Sequence, residues 1–253
     1  MGMKIKNKVI GCDRPLICVP VMGRTKEDIV EEAAYLSRSC ADMIEWRVDA
    51  FEHYADFNRV REVLKEVALY MEEKIFLYTF RTRKQGGEAD PEEELLDDLH
   101  DLAAESGCVD LLDLEYFAGE RPQRKIRRLQ KAGLKIVASH HDFEMTPGPE
   151  VMRMLLDRMA AGGADLVKLA VMPECEKDVL NLLEVTCQFA AQNPDTPIIS
   201  MSMGSLGGVS RICGETFGSC VTFGCNKKAS APGQFPMDEL NEILNSIHKS
   251  QKN

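Results

Sequence analysis

Short apolar runs and longer amphipathic stretches alternate along the whole chain. The apolar runs are typical of parallel strands covered on both faces, and they lie at Leu16–Val21, Met43–Val48, Ile75–Phe80, Leu111–Tyr116, Lys135–His140, Leu166–Met172, Ile198–Met203 and Val221–Cys225. The amphipathic stretches predict helices at Lys26–Arg38, Phe57–Met71, Pro91–Glu105, Glu120–Lys131, Pro149–Ala161, Glu176–Ala191, Val209–Phe217 and Met237–Lys249. Eight strands that are each followed by a helix predict an α/β fold of repeated β/α units.

Residues at the segment boundaries support these assignments. Thr25 is placed to cap the helix that follows it, and Asp90 is placed to cap the third helix. Pro91 would then occupy the first helical position, which needs no amide hydrogen. Gly107 and Gly133 follow predicted helix ends, where glycine readily adopts positive φ.

A closed barrel fits this pattern better than an open sheet. A doubly wound sheet would carry a glycine-rich phosphate loop after its first strand, and Met22-Gly23-Arg24 is no such loop. The length of 253 residues is close to the roughly 250 typical of a (β/α)8 barrel. We therefore expect residues 1–253 to form one catalytic domain, a parallel eight-stranded TIM barrel. Met3–Arg14 is expected to be an extra strand or hairpin that closes the bottom.

Composition narrows the partners and the compartment. A net charge of −10 argues against nucleic acid and anionic membranes as partners. No apolar run is long enough to span a bilayer, and Met1–Pro15 lacks the apolar core of a signal peptide. Nine cysteines without a Cys-x-x-Cys pair are typical of reduced thiols in a cytoplasmic protein. A small-molecule substrate is the expected partner.

Lys168 is a charged residue inside an apolar predicted strand. A lysine in such a position is ion-paired or neutral. An ion pair could form with Glu115 or Asp113 on the predicted fourth strand. A neutral amine could instead attack a ketone and form an imine. The sequence alone leaves both interpretations open.

His141 ends the strand that neighbours Lys168 in the predicted barrel, so its ring can take and return a proton beside the amine. Because strand side chains alternate, only one of His140 and His141 should face the site. The run His140-His141-Asp142 also raises the alternative of a metal site. We disfavour a metal, because the other three of the five histidines lie in or beside predicted helices.

Three arginines, Arg47, Arg81 and Arg211, make an anionic substrate plausible, since guanidinium groups bind carboxylates. Surface ion pairing is the alternative, and Arg81 fits it least because it directly follows an apolar strand. The glycine-rich segments Gly86-Gly87 and Gly204-Ser205-Leu206-Gly207-Gly208 are interpreted as ordinary loops, with phosphate binding as the weaker alternative.

Taken in order, the strand-end segments resemble the type I 3-dehydroquinate dehydratase family from near Leu16 to the C-terminus. The segments that carry the resemblance are Ile17-Cys18-Val19, Glu45-Trp46-Arg47-Val48-Asp49, Thr79-Phe80-Arg81, Ser139-His140-His141-Asp142-Phe143, Lys168-Leu169-Ala170-Val171-Met172-Pro173, Met201-Ser202-Met203, Ser210-Arg211, Phe217-Gly218-Ser219, Thr222-Phe223-Gly224 and Ser230-Ala231-Pro232-Gly233-Gln234.

The resemblance implies a role for each matching residue. Lys168 is expected to form the imine and His141 to act as general acid and base. Arg211 is expected to bind the substrate carboxylate. The remaining expected site residues are binders of ring hydroxyls (Glu45, Arg47 and Arg81), contacts from a closing loop (Ser230 and Gln234) and supporting residues behind them (Gln85, Met203 and Phe223). The family uses no metal or organic cofactor and is commonly dimeric.

Two positions depart from the family pattern. Gln85 precedes the Gly-Gly pair where relatives usually carry glutamate, so a charge beside the catalytic histidine is lost. Glu88 is a candidate to replace that charge. Pro20 stands where some relatives have a serine that contacts substrate.

The implied reaction is the conversion of 3-dehydroquinate to 3-dehydroshikimate, a hydro-lyase step in the shikimate pathway of aromatic amino acid biosynthesis. The alternatives are another imine-forming barrel enzyme, such as a class I aldolase, and a non-catalytic binding module on the same barrel. We do not expect a fusion with shikimate dehydrogenase, because 253 residues leave no room for a nucleotide-binding domain.

Overall fold

The computed structural model describes residues 2–227 and 229–252. Eight parallel strands form one sheet. Their bounds are β3 Leu16–Val21, β4 Met43–Arg47, β5 Ile75–Thr79, β6 Leu111–Glu115, β7 Lys135–Asp142, β8 Leu166–Val171, β9 Ile198–Ser202 and β10 Val221–Phe223. Their order in the sheet is β10-β3-β4-β5-β6-β7-β8-β9. All eight predicted strands are present, and their ends differ from the predictions by at most two residues.

The sheet closes into a barrel between β9 and β10. There a single parallel bridge joins Ile198 to Ser219, and the amide of Cys220 donates to the carbonyl of Ile198 at 2.8 Å. The hydroxyl of Ser219 also accepts from the amide of Ser200 at 3.0 Å. The predicted eight-stranded (β/α)8 barrel is therefore confirmed, with one seam held by a bridge rather than by a long ladder.

Helices surround the barrel. Their bounds are α1 Lys26–Leu36, α2 Phe57–Ala68, α3 Glu93–Ser106, α4 Pro122–Lys131, α5 Pro149–Ala161, α6 Glu176–Gln192, α7 Gly208–Ile212, α8 Gly214–Phe217 and α9 Met237–Gln251. The predicted helix Val209–Phe217 is divided at Cys213, which leaves the helical conformation. No helix in the described part of the chain combines the length and apolarity that crossing a bilayer requires.

Successive side chains along each strand point alternately toward the outer helices and into the barrel interior, so the strands contribute to two packed layers. In β3, Ile17, Val19 and Val21 pack under the outer helices. Cys18 points the other way and joins the core inside the barrel. The charged strand residues described below follow the same rule, and those that face inward meet in the barrel interior.

An antiparallel hairpin, β1 Met3–Ile5 and β2 Lys8–Ile10, covers the amino-terminal end of the barrel. Ile5 and Ile10 are buried in the same inner cluster as Leu16, the first residue of β3. The ammonium group of Lys6, in the turn, donates to the carbonyls of Met71 and Lys74 at 2.7 and 2.8 Å. The predicted closure of the bottom is confirmed as a hairpin.

One of the two predicted caps is wrong. Thr25 caps α1 as predicted, with its hydroxyl accepting from the amide of Asp28 at 3.2 Å. Asp90 instead accepts from the backbone amide of Arg83 at 2.9 Å and lies 3.8 Å from the Arg83 guanidinium. Because this loop contact occupies the carboxylate, α3 begins only at Glu93, and Pro91 lies outside the helix.

Candidate active site

A pocket of about 40 Å³ opens at the carboxyl ends of the strands, where active sites of such barrels lie. The structure places ten of the eleven expected site residues in its lining, namely Glu45, Arg47, Arg81, Gln85, His141, Lys168, Met203, Phe223, Ser230 and Gln234. Arg211 is the exception and lies behind the wall. The pocket thus brings together residues from β4, β7, β8 and β10 and from the loops that follow β5, β9 and β10.

Lys168 lies on β8 opposite Ser139 of β7, with only 4% of its surface exposed. Its Nζ is 3.3 Å from Asp113 Oδ2 and 4.3 Å from the centre of the Phe223 ring. An ion pair is therefore present, with Asp113 rather than Glu115 as the partner. Lys168 is also one of the residues that line the pocket, so the ion pair lies at the pocket wall.

Asp113 is fully buried below Lys168. It accepts from the Ser139 hydroxyl at 2.5 Å, and its Oδ2 lies 2.7 Å from Arg81 Nη2. Burial by itself would raise the pKa of Asp113, but the charges of Arg81 and Lys168 and its hydrogen bonds outweigh burial and lower it to about 2. Asp113 is therefore a fixed anion that holds two cations at the base of the pocket.

Gln85 determines which nitrogen of His141 carries the proton. The Gln85 amide oxygen accepts from the backbone N–H of His141 at 2.8 Å and lies 3.0 Å from its Nδ1. Since that oxygen can only accept, Nδ1 must donate to it. Nε2 then carries the free lone pair, as a general base requires.

The pKa of His141 lies well below its usual value. Burial is the largest cause, and the positive charges of Arg81 and Lys168 lower it further. The contact at Nδ1 is a neutral amide and adds no negative charge. The ring is therefore neutral at neutral pH and able to accept a proton.

His140 points away from the pocket, as strand alternation predicted. Its ring packs edge-on against Phe117, with 5.4 Å between ring centres. Across residues 2–227 and 229–252, no group of three or more His, Cys, Asp or Glu side chains is arranged to hold a metal ion. The run His140-His141-Asp142 accordingly does not form one.

Arg47 and Arg81 are both held by buried acids. Asp49 accepts from Arg47 Nε at 2.8 Å and Nη2 at 2.7 Å, and it also accepts from the backbone amide of Arg81 at 3.1 Å. Arg81 Nη1 donates to Ser139 at 3.0 Å and to Glu115 at 3.2 Å. Each guanidinium is fixed before any ligand binds.

Arg211 is a buried cation beside the pocket, with 1% of its surface exposed. Its Nη2 donates to the carbonyl of Pro232 at 2.9 Å, and Nη1 lies 3.8 Å from the sulfur of Met201, which lines the pocket. Among the described residues no carboxylate pairs with it, and its Nε has no hydrogen-bond partner. Burial lowers the pKa of Arg211 to about 10, so it stays charged at neutral pH.

The loop after β10 covers the pocket. The Gln234 amide oxygen accepts from the backbone amide of Ser230 at 2.8 Å, and Gln234 Nε2 donates to the Ser230 hydroxyl at 3.0 Å. The carbonyl of Pro232 accepts from the amide of Gly204 at 3.2 Å as well as from Arg211. The loop is thereby tied both to itself and to the buried arginine.

The structure shows how the two departures from the family pattern, at Gln85 and Pro20, affect the pocket. The carboxylate of Glu88 points toward Arg24, 3.8 Å away, while His141 is held by Gln85. Glu88 therefore does not replace the missing charge. Pro20 lies beside Glu45 in the sheet register and adds no side chain to the pocket lining.

Comparison with known proteins identifies the family. The family model for type I 3-dehydroquinase matches residues 17–251. The chain belongs to the type I 3-dehydroquinase family. It is 45% identical to the 3-dehydroquinate dehydratase of Clostridioides difficile (strain 630) over 249 residues, 98% of each chain, and 44% identical to that of Listeria monocytogenes serotype 4a over 97% of each.

Solved structures of 3-dehydroquinate dehydratases have the same fold. The Clostridium difficile structure matches with a TM-score of 0.94 at 45% identity, covering 99% of this chain and 98% of that one. The Geobacillus kaustophilus structure also gives 0.94, at 34% identity, covering 98% and 97%. The predicted family, TIM barrel and hydro-lyase activity on 3-dehydroquinate in the shikimate pathway are confirmed.

Sequence reasoning gave no site role to Asp49 or Ser139, and it considered Asp113 only as a possible ion-pair partner. Ser139 precedes His141 by two residues in β7, so the two lie on the same side of that strand, and this parity is the signal that could have found Ser139. Asp49 lies beyond the end of β4, in the 3-10 turn Val48–Ala50, where strand alternation does not apply. The partners of both residues on other elements are visible only in the folded barrel.

Proposed function

We propose that the chain dehydrates 3-dehydroquinate to 3-dehydroshikimate through an imine formed on Lys168. The observation that carries the proposal is a buried lysine amine that borders a pocket between an acid, Asp113, and an aromatic ring, Phe223. A deprotonated amine in this position can attack a ketone. The Clostridium difficile relative, whose structure contains covalently modified comenic acid, supports covalent chemistry on this fold.

His141 moves the protons in the proposed sequence. Lys168 passes its ammonium proton to His141, and the neutral amine attacks the C3 ketone. The ketone oxygen takes one proton from the attacking nitrogen and the other back from His141, leaves as water, and a protonated imine remains. The imine withdraws electrons from C2, and His141 Nε2 removes a C2 proton to form an enamine. His141 returns this proton to the C1 hydroxyl, which leaves as water while the imine re-forms. Hydrolysis consumes one water and frees Lys168, so one water is lost overall.

The charged groups of the pocket suit a substrate with one carboxylate and several hydroxyls. Arg211 lacks a carboxylate partner among the described residues, and we assign it to the substrate carboxylate. Glu45, Arg47 and Arg81 line the pocket and are assigned to the ring hydroxyls. Ser230 and Gln234 are the substrate contacts of the covering loop. The protonated imine is itself the electron sink, so the proposed sequence needs neither a metal nor an organic cofactor.

Borohydride reduction tests the imine directly. Borohydride added to enzyme and 3-dehydroquinate should leave a stable adduct, which peptide mass spectrometry should locate on Lys168. Lys168→Ala should form no adduct and lose activity, while activity should survive chelators. A label on another residue, or full activity in Lys168→Ala, contradicts the proposal.

Lys74 provides an internal control. It is also buried, but it lies at the opposite end of the barrel, where its ammonium group donates to the carbonyls of Ser39 and Ala41 at 2.9 and 2.6 Å. It should remain unlabelled. Labelling of both lysines would indicate non-specific reduction rather than an imine in the pocket.

We further propose a cytoplasmic homodimer. The nine cysteines are all free thiols in the structure, which suits a reducing compartment. Among the described residues, ten large hydrophobic side chains are exposed, and two of them, Val151 and Met154, are neighbours on α5, where adjoining apolar side chains can form a contact surface. Light scattering should give twice the chain mass of 28.3 kDa, and cell fractionation should place the protein with cytosolic enzymes. A monomer at all concentrations, or a membrane or secreted fraction, contradicts this assignment.

A further inference from the structure

A second cavity lies outside the barrel, between α3 and α4 and the carboxyl ends of β5 and β6. Its volume is about 110 Å³, compared with about 40 Å³ for the active-site pocket, and the two share no lining residue. The cavity opens to solvent between exposed residues, so a small ligand can enter it.

His100 lines this cavity with an unmatched polar ring. Only 4% of its surface is exposed, and among the described residues neither ring nitrogen has a hydrogen-bond partner. Buried polar groups nearly always have one. Burial lowers the pKa of His100 to about 4, so the ring is neutral and offers one donor and one acceptor. A hydroxyl group, which both donates and accepts, can pair with either nitrogen.

The walls of the cavity are apolar, with Phe80, Leu96 and Leu114 among them. These side chains suit a single hydrophobic or aromatic ring. A ring that fills the space between them would also bring a substituent within reach of His100, which lies on α3 as Leu96 does.

The mouth of the cavity carries Glu93, Glu120 and Lys125, and Arg121, Arg124 and Arg128 line the surface beside it. The Lys125 ammonium group is already paired with Glu93 at 2.6 Å and Asp97 at 2.8 Å, whereas no cation of the described chain pairs with the exposed Glu120. A cationic group on a ligand can therefore pair with Glu120 at the mouth.

We propose that this cavity binds a small single-ring molecule with a hydroxyl group at one end and an ammonium group at the other. The hydroxyl pairs with His100, the ring packs between Phe80, Leu96 and Leu114, and the ammonium group lies near Glu120. This inference concerns binding alone and does not depend on the proposed reaction.

The cavity and the active site share a wall. Glu115 lines the cavity and accepts from the Thr82 hydroxyl at 2.7 Å, and its other oxygen accepts from Arg81 at 3.2 Å. Arg81 lines the active-site pocket. A bound ring is thus separated from the active site by one carboxylate, but it does not overlap the substrate. Binding should not compete with 3-dehydroquinate.

Tyramine is the test ligand, because it has the hydroxyl, the ring and the ammonium group. Calorimetric titration of the full chain should show saturable binding, about 3- to 10-fold tighter than that of phenethylamine, which lacks the hydroxyl. The anionic 3-(4-hydroxyphenyl)propionate should bind more weakly than tyramine. In ¹⁵N-histidine spectra, tyramine should shift the ring signals of His100, which are assigned by their loss in His100→Leu.

Two variants separate the cavity from other sites. His100→Leu should bind tyramine and phenethylamine equally well, since the partner of the hydroxyl is gone. Ala118→Trp changes an exposed residue of the lining and should weaken binding of both amines without unfolding the protein. The proposal is overturned if tyramine shows no saturation up to about 10 mM, if the His100 signals do not move, or if tyramine competes with 3-dehydroquinate.

Discussion

Gln85 contacts His141 through a neutral amide at the position where the family resemblance implies a carboxylate. The amide fixes the tautomer as well as a carboxylate would, because its oxygen is bound by both the backbone N–H and Nδ1. It does not stabilise the protonated ring. Burial and two nearby cations therefore act unopposed, and the pKa of His141 stays well below its usual value.

Replacing Gln85 with glutamate should shift the pH profile. The proposed base acts in its neutral form, so activity is present above the pKa of His141 and is lost as pH falls through it. In the wild type that loss should begin well below pH 6.5, the ordinary histidine pKa. Gln85→Glu adds an anion next to the ring, which should raise the pKa of His141. The acidic limb of the profile of kcat/KM against pH should therefore move about 1–3 pH units higher.

A matched control adds the same charge elsewhere. Gln188→Glu, on α6 beside Arg153, should leave the pH of the acidic limb of the kcat/KM profile unchanged. An unchanged limb in Gln85→Glu would show that His141 does not control the acidic side of the profile.

Asp113 should matter for stability as well as for activity. Asp113→Asn leaves Arg81 and Lys168 buried without their shared anion, which should cost about 3–5 kcal/mol in the free energy of unfolding measured with urea. Asp101→Asn is the control, because its ion pair with Arg128 is about 40% exposed on both sides and should change stability by under about 1 kcal/mol. Equal losses in the two variants would mean that the buried anion is not needed.

At the scale of elements, the repeating pattern was enough to predict the strands and most helices. The loops were harder. Asp90 and Pro91 have the sequence of a helix start, but Asp90 is engaged by Arg83, seven residues earlier, in the preceding loop. The role of Asp113 could not be predicted from its own strand either. It depends on ion pairs with Arg81 and Lys168, which lie on other elements. Local propensity predicts elements, whereas contacts between elements decide how their polar residues are used.

The loop that carries Gln85 depends on close backbone packing. A side chain on Gly87 would place its Cβ 1.8 Å from the carbonyl oxygen of Arg81, and Gly86 has φ +85°. Gly87→Ala should therefore displace the loop, lower kcat/KM and destabilise the protein by about 1–3 kcal/mol. Activity assays and thermal unfolding measure both effects.

Gly148→Ala serves as the comparison for that loop. Gly148 precedes α5 with φ −58°, and nothing lies within 4 Å of its added Cβ. It should leave activity and melting temperature close to wild type. Similar losses in both variants would indicate a general sensitivity to glycine replacement rather than a role for the Gly87 contact.

At the scale of the whole molecule, the two ends of the barrel have separate tasks. The hairpin and its buried isoleucines seal the amino-terminal end, and the proposed chemistry uses the carboxyl end. Strands β3 to β10 connect the two ends in one continuous sheet. We propose that residues 1–253 are a single domain, because unbroken ladders join the strands from β10 to β9 and a bridge closes the seam between those two.

A single domain of this kind should unfold in one cooperative step. Trp46, the only tryptophan, is fully buried in β4 and contacts the Tyr78 ring edge-on at 5.7 Å, so its fluorescence reports on the barrel core. Far-ultraviolet circular dichroism reports mainly on the outer helices. The two signals should change at the same temperature, and calorimetry should show one transition. Fluorescence and dichroism that melt at clearly different temperatures would mean that sheet and helices unfold as separate units, against the single-domain assignment.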